Sequence, residues 1–171
     1  MTHFGDRLTE ANRRTATPLC MGIDPHIHMI PDIFGNAQDG AASDAAIRAI
    51  NDFSMACLEQ AIGNVAAIKP QAAFFEQQGP AGMRILQNLG RAAIDAGLLV
   101  IMDAKRGDIG STSTAYAAGW IGHDAPFPSD ALTVNPWLGI DTLAPFLDRA
   151  DATGSGLFIL NRTSNPGAGD L

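Results

Sequence analysis

The sequence predicts an α/β protein built on a parallel β-sheet, and three features support this prediction. Five short apolar segments recur along the 171 residues, and each is continuously apolar, as strands covered on both faces usually are. Segments with helical spacing of apolar residues lie between them. The alternation repeats at roughly thirty residues, the length of a βαβ unit, which implies parallel strands joined by right-handed crossovers.

The individual elements follow from local patterns in the sequence. The predicted strands cover residues 18–24, 65–71, 98–105, 131–136 and 157–163. Helices are predicted over residues 43–62, 82–96, 111–119 and 139–149. The first of these is the clearest, because its apolar residues form one stripe, Ser43 suits the N-cap and Gly63 suits the end. Gly97 is expected to end the second.

Polar and charged side chains stand where the predicted strands end. They are Asp24, Lys69, the stretch 103–108, Asn135, and Thr163 with Ser164. Because parallel α/β proteins carry their chemistry at the carboxyl ends of strands, this distribution favours the mouth of a (β/α)8 barrel. An open dinucleotide-binding sheet is less favoured, since no GxGxxG motif follows the first strand. A closed barrel takes eight units and about 250 residues. We therefore expect a single domain, residues 1–171, with about the first five βα units of a C-terminally incomplete barrel.

Composition excludes several classes of function. The chain is 46% hydrophobic and 17% charged, which argues against disorder, and its net charge of -7 disfavours binding to nucleic acid or an anionic membrane. The N-terminus has no apolar leader, and the apolar runs are too short to span a bilayer. Cys20 and Cys57 form no metal-binding pattern and are predicted to be reduced core thiols of a cytoplasmic protein.

The densest chemical signal lies in the stretch VIMDAKRGDI, residues 100–109. Asp103 and Lys105 are two residues apart, so on a strand they point to the same face. Asp108 follows on a loop. A D-x-K-x-x-D pattern alone also fits a solvated acid–base cluster on an ordinary loop. Lys69 and Asp24, at neighbouring strand ends, would complete an alternating Asp–Lys–Asp–Lys array, and this favours a functional site.

Four segments together resemble one known family. MDAKRGDIGSTSTAYA (residues 102–117), CMGIDPH (20–26), AAIKPQAAFFE (66–76) and NRTSNPGAGD (161–170) resemble orotidine 5′-phosphate decarboxylases, especially their longer bacterial branch. The resemblance covers nearly the whole chain in the family's order. The charged motif is fairly specific, and the other three segments are strong only in combination. The family's activity is the decarboxylation of orotidine 5′-monophosphate to uridine 5′-monophosphate in pyrimidine biosynthesis.

The resemblance implies roles for four residues at the strand ends. Asp24 would hydrogen-bond the ribose hydroxyls. Lys69 would contact the ribose and hold Asp103, and Asp103 would lie against the substrate carboxylate. Lys105 would donate the proton that replaces CO2 at C6 of the pyrimidine. Such a site stabilises a developing carbanion electrostatically, so the resemblance implies no cofactor and no metal.

The resemblance also implies a homodimer. Asp108 would reach across the interface into the partner's site, with Ile109 and either Thr112 or Thr114 nearby, and Ser164 would hydrogen-bond the pyrimidine ring. The family's phosphate-binding residues belong to the last two βα units, outside these 171 residues, which puts the activity of the chain alone in question.

Two alternatives stay open at this point. A Mg2+-dependent sugar-phosphate decarboxylase, the 3-keto-L-gulonate 6-phosphate enzyme, shares the D-x-K-x-x-D motif and the barrel. The flanking segments, above all TSNPGA and the IKPQ strand end, favour the nucleotide enzyme. The second alternative is a catalytically inactive, truncated barrel fragment that exposes an apolar sheet edge.

Overall fold

The computed structural model describes residues 2–35 and 42–170. Within these ranges, five parallel strands form one sheet in the order β1-β2-β3-β4-β5. The strands are β1 (Cys20–Ile23), β2 (Ala67–Pro70), β3 (Leu99–Arg106), β4 (Ala131–Val134) and β5 (Gly156–Ile159). Each strand pairs with the next along the chain, which is the strand order of the predicted barrel, whose inner face is concave. The predicted strand positions are confirmed, although most strands are shorter than expected.

Helices connect these strands. They are α1 (Phe4–Thr15), α2 (Asp44–Ala61), α3 (Ala72–Glu76), α4 (Gly79–Asp95), α5 (Gly110–Trp120) and α6 (Ala144–Thr153). Ser43 caps α2 as expected, since its hydroxyl accepts a hydrogen bond from the Ala46 amide at 3.1 Å. Two predicted starts were misplaced. α4 begins at Gly79 and α6 at Ala144, and each has a proline in its first turn, where proline favours helix initiation.

The main hydrophobic core lies between the outer face of the sheet and helices α2 to α6. Its largest fully buried members include Ile68, Met102, Leu132 and Phe146. Alternate strand residues point the other way, toward the concave face. At the amino-terminal end of that face, Leu99, Ile101 and Ala131 belong to a second cluster.

The helix α1 fills this second cluster, and the sequence prediction missed it. Its residues Phe4, Leu8 and Ala11 recur at helical spacing and pack beneath the concave face. Gly156 on β5 is required by this packing, because a Cβ there would overlap the Phe4 ring. The helix therefore closes the lower rim of the sheet and leaves the upper, carboxyl-terminal rim open.

The prediction that the cysteines are core thiols is wrong for Cys20, whereas Cys57 packs against the main core. Cys57 is half-buried, and Cys20 is exposed. Cys20 pairs with Ala67 and lies on the outermost strand of the sheet, at its concave face. A thiol on an edge strand is buried only when another element covers that edge, which the local sequence around Cys20 does not reveal.

Candidate functional site

Three ionic side chains converge at the carboxyl-terminal end of the sheet. Lys69 Nζ lies 3.0 Å from Asp103 Oδ2, and Lys105 Nζ lies 2.5 Å from Asp103 Oδ1. The strand geometry explains this convergence, since Lys69 and Asp103 extend from adjacent parallel strands and both point to the concave face. Lys69 and Lys105 are the only lysines in the sequence, and both contact the same carboxylate.

Two neutral side chains complete the surroundings of Asp103. Gln71 Nε2 donates to Oδ2 at 3.2 Å, and Thr133 Oγ1 donates to Oδ1 at 3.0 Å. Each carboxylate oxygen therefore accepts two hydrogen bonds, which uses the full acceptor capacity of an ionised carboxylate. Asp103 is 7% exposed. The arrangement fixes a buried negative charge between two cations at the open rim.

The pKa of Asp103 reflects this environment. Burial raises it, but the hydrogen bonds from Lys105 and Lys69, the charge of Lys69 and the Thr133 hydroxyl together bring the pKa below its ordinary value. A carboxyl with a lowered folded-state pKa stabilises the fold fully above its unfolded pKa and loses this contribution as pH falls through the folded value. Asp103 is therefore ionised throughout the neutral range.

An irregularity in β3 sets the direction of Lys105. The pairing of β3 with β4 shifts register between Met102 and Arg106, and Lys105 adopts a positive φ of 48°. Such a backbone is uncommon for a residue with a side chain and clusters at functional sites. Gly107 then passes close to β4, where a Cβ would lie 2.7 Å from the Asn135 carbonyl oxygen. The bulge directs Lys105 back toward Asp103.

Arg106 anchors the end of β3 on the opposite face. Its guanidinium carbon lies 4.7 Å from the centre of the Trp120 ring and 5.5 Å from that of Tyr116, and it forms an ion pair with Glu76. This cluster joins α3, β3 and α5 outside the concave face. The sequence analysis did not anticipate this contact of Glu76.

The other predicted site residues lie at the same end of the molecule but outside the ion-pair cluster. Asp24 directly follows β1 and is exposed; within the described ranges it forms no ion pair. The half-buried Asp108 accepts a hydrogen bond from the Ile109 amide at 2.7 Å. Its carbonyl accepts a hydrogen bond from the buried Ser113, which fixes the loop before α5. Asp108 therefore does not contact Lys105 within this chain.

The remaining predicted contacts are exposed. Ile109 is 62% exposed, and Thr112 and Thr114 lie on the first turns of α5. Ser164 lies on the exposed segment after β5. A cavity of about 550 Å3 beside this segment is lined by residues 135–137, 160–163, 165, 167 and 168, and Ser164 is not among its lining residues. It adjoins the ends of β4 and β5, next to the ion-pair cluster along the rim.

Comparisons with known proteins identify the family. The profile of the orotidine 5′-phosphate decarboxylase / HUMPS family matches residues 17–171. The chain belongs to this family. Curated orotidine 5′-phosphate decarboxylases from Rhodopirellula baltica and Streptomyces coelicolor are 43% and 46% identical to it. Each alignment covers the whole chain and 58% of the relative. The chain thus spans little more than half the length of these curated relatives.

Solved structures agree with this membership. A Streptomyces avermitilis protein, solved as a candidate orotidine 5′-phosphate decarboxylase, is 42% identical with a TM-score of 0.85, covering 99% of this chain and 56% of that one. The Leishmania donovani OMP decarboxylase is 35% identical with a TM-score of 0.74, over 99% of this chain and 58% of that one. The predicted fold class is confirmed, since these family members are TIM barrels and the present sheet matches about half of each.

One further result concerns membranes. Among the described residues, no helix is both long and apolar enough to cross a bilayer.

Proposed function

We propose that the protein takes part in the decarboxylation of orotidine 5′-monophosphate to uridine 5′-monophosphate in the cytoplasm, as a carboxy-lyase of pyrimidine biosynthesis. The observation that carries the proposal is the placement of Asp103 between the ammonium groups of Lys69 and Lys105 at the open rim. The family relatives at 43% and 46% identity carry the corresponding name.

The chemistry follows from these three charges. When the bond between C6 and the carboxylate breaks, CO2 leaves and the electron pair stays on C6. An adjacent ammonium stabilises that charge and then transfers its proton to C6, for which lysine is suited because its compact charge can give up a proton. Lys105 fills this role and regains a proton from solvent. Every proton and electron is accounted for, so the proposal invokes no cofactor or metal.

Asp103 has a second role in the proposal. Its ionised carboxylate, placed against the substrate carboxylate, raises the energy of the bound ground state, and the repulsion disappears when neutral CO2 departs. Lys69 balances the charge of Asp103 and contacts the ribose, and Asp24 hydrogen-bonds the ribose hydroxyls. Ser164 contacts the pyrimidine ring. Asp108, Ile109 and Thr112 or Thr114 complete the site of a partner subunit in a homodimer.

The first test measures the reaction itself. The complete natural polypeptide that contains these residues is incubated with orotidine 5′-monophosphate, and conversion to the uracil nucleotide is followed by ultraviolet absorbance. We expect turnover that is unchanged by EDTA. Turnover of 3-keto-L-gulonate 6-phosphate instead, lost in EDTA and restored by Mg2+, would establish the alternative chemistry of the same fold. The 171-residue chain is assayed beside it under the same conditions.

A second prediction concerns Asp103→Asn. The amide keeps the shape of the side chain but removes the negative charge, so the ground-state repulsion is lost and the two ammonium groups lose their shared counterion. We expect kcat to fall by about 10²-fold or more, as for other groups that act electrostatically in the transition state, while substrate-like anions bind at least as tightly. Unchanged kinetics for this variant would remove Asp103 from the site.

A further inference from the structure

One buried hydroxyl connects the backbone of Lys105 with the carboxylate that its ammonium contacts. The amide of Lys105 donates to Thr133 Oγ1 at 2.9 Å, and the same hydroxyl donates to Asp103 Oδ1 at 3.0 Å. Lys105 Nζ approaches that same oxygen at 2.5 Å. The contacts form a closed ring that runs from the Lys105 amide through Thr133 and Asp103 to the Lys105 ammonium.

The position of this ring coincides with the bulge in β3. The irregular register of β3 displaces Lys105 from regular pairing with β4, and its φ of 48° is a strained conformation for lysine. Strained backbone persists only where the surroundings determine it. The Thr133 hydroxyl fixes the backbone conformation of Lys105, because it accepts a hydrogen bond from the Lys105 amide, which the bulge turns toward β4.

The side chain of Thr133 is itself held firmly. It is 8% exposed, lies in β4 between the core residues Leu132 and Val134, and points to the concave face. A β-branched side chain has few rotamers, so its hydroxyl stays where the strand places it. Valine has the same shape and would satisfy the requirements of a strand. The hydroxyl therefore serves the two polar contacts on the concave face.

We propose that Thr133 is a positioning residue for the proton donor: its hydroxyl holds the Lys105 backbone and the Asp103 carboxylate in the one arrangement that places the ammonium for proton transfer. The proposal rests on the proposed function. Thr133 acts through Lys105 and Asp103, and the contacts assign it no direct role with substrate. Misplacement of a reacting group by about 1 Å can cost 10²-fold in rate, which is the scale of the effect expected here.

The kinetic test uses Thr133→Val, Thr133→Ser and Thr133→Ala in the complete natural polypeptide. We expect Thr133→Val to lower kcat by about 10- to 100-fold with KM little changed, because the geometry of proton transfer is lost and ground-state binding is not. Thr133→Ser keeps the hydroxyl, so its kcat is expected to stay within about threefold of the wild-type value. The serine and alanine variants differ only in the hydroxyl. Comparing their kcat values therefore tests the positioning role even if the valine variant does not fold.

A matched control is available at the opposite end of the sheet. Thr153→Val also removes a hydroxyl with intramolecular contacts, to the Arg149 carbonyl and to Ser155, each at 2.8 Å. It is expected to leave kcat unchanged. Equal kcat values for the serine and alanine variants of Thr133 would overturn the positioning role. So would a decrease in kcat for Thr153→Val as large as that for Thr133→Val.

A readout independent of turnover separates this inference from the proposed function. Lys69 and Lys105 are the only lysines among these 171 residues, and selective lysine labelling, with each signal assigned by substitution of its lysine, gives a side-chain NMR signal for both. We expect Thr133→Val to move the Lys105 signal strongly and the Lys69 signal little. If wild type does not decarboxylate the nucleotide, the proposed function fails, and the NMR result still tests the positioning. An unmoved Lys105 signal in Thr133→Val would refute it.

Discussion

A Lys105→Ala variant is expected to lose at least about 10³-fold in turnover of orotidine 5′-monophosphate while it keeps its fold. The ammonium has two roles in the proposed reaction, to stabilise the charge on C6 and to supply the proton, and each is worth about 10²-fold or more. The Lys105 side chain is 43% exposed, so its removal opens no cavity in the core. Asp103 keeps Lys69, Gln71 and Thr133 as partners.

Two further variants sharpen the experiment on Lys105. Lys105→Arg keeps a positive charge but places a guanidinium that does not release its proton, and we expect it to recover little of the activity. Arg84→Ala removes an exposed cation from α4 and serves as the control for a change in net charge. Thermal unfolding monitored by circular dichroism verifies the fold of each. Near-normal formation of uridine 5′-monophosphate by Lys105→Ala would refute the proposed function.

The convergence of Lys69, Asp103 and Lys105 could be predicted because it depends on two regular features. Parallel strands bring their carboxyl ends to one edge, and residues two apart on a strand share a face. The same two-residue step from Lys69 leads to Gln71, which also reaches Asp103. In chemical terms, Gln71 looked like an ordinary residue at the start of a loop.

Thr133 could not be recognised in the same way. Its neighbours make a continuous apolar run, ALTV, in which threonine is an ordinary strand former. Its role depends on the bulge that brings the Lys105 amide to it, and no residue in the sequence marks that bulge. The bulge becomes visible only through the register of β3 against β4. Contacts between strands distant in sequence therefore limited the prediction of the site.

The lower rim of the sheet illustrates the same limit. The residues of α1 have clear helical spacing, but few of them are apolar, and the strand residues they pack against lie far away in the sequence. Besides this packing, the helix is held by a contact across 123 residues of sequence, between Arg7 and the buried Asp130 at the start of β4. His123 Nε2 lies 2.8 Å from the same carboxylate, at the end of the sheet opposite Lys105. His123 thus has a partner of its own and cannot act as a base at the upper rim.

Asp130→Ala is expected to lower the free energy of unfolding by about 3 kcal/mol, the lower part of the range for breaking a buried ion pair. The side chain of Asp130 is 1% exposed, and its Oδ2 accepts a hydrogen bond from the Val100 amide at 2.8 Å. Alanine leaves this amide buried without its acceptor and leaves Arg7 without its counterion. Denaturation in urea, with the midpoint lowered and the slope unchanged, measures the loss.

Asp124→Ala is the matched control for this loss, since it also removes an aspartate that pairs with an arginine. The side chain of Asp124 is 71% exposed where it meets Arg149 at 2.6 Å, and solvent screens such a pair, so we expect little change in stability. Equal destabilisation by the two variants would show that burial of Asp130 is unimportant. A large loss for Asp130 alone would mean that β4, the strand that carries Thr133, is fixed at its lower end by α1 and at its upper end by the hydrogen bonds of the site.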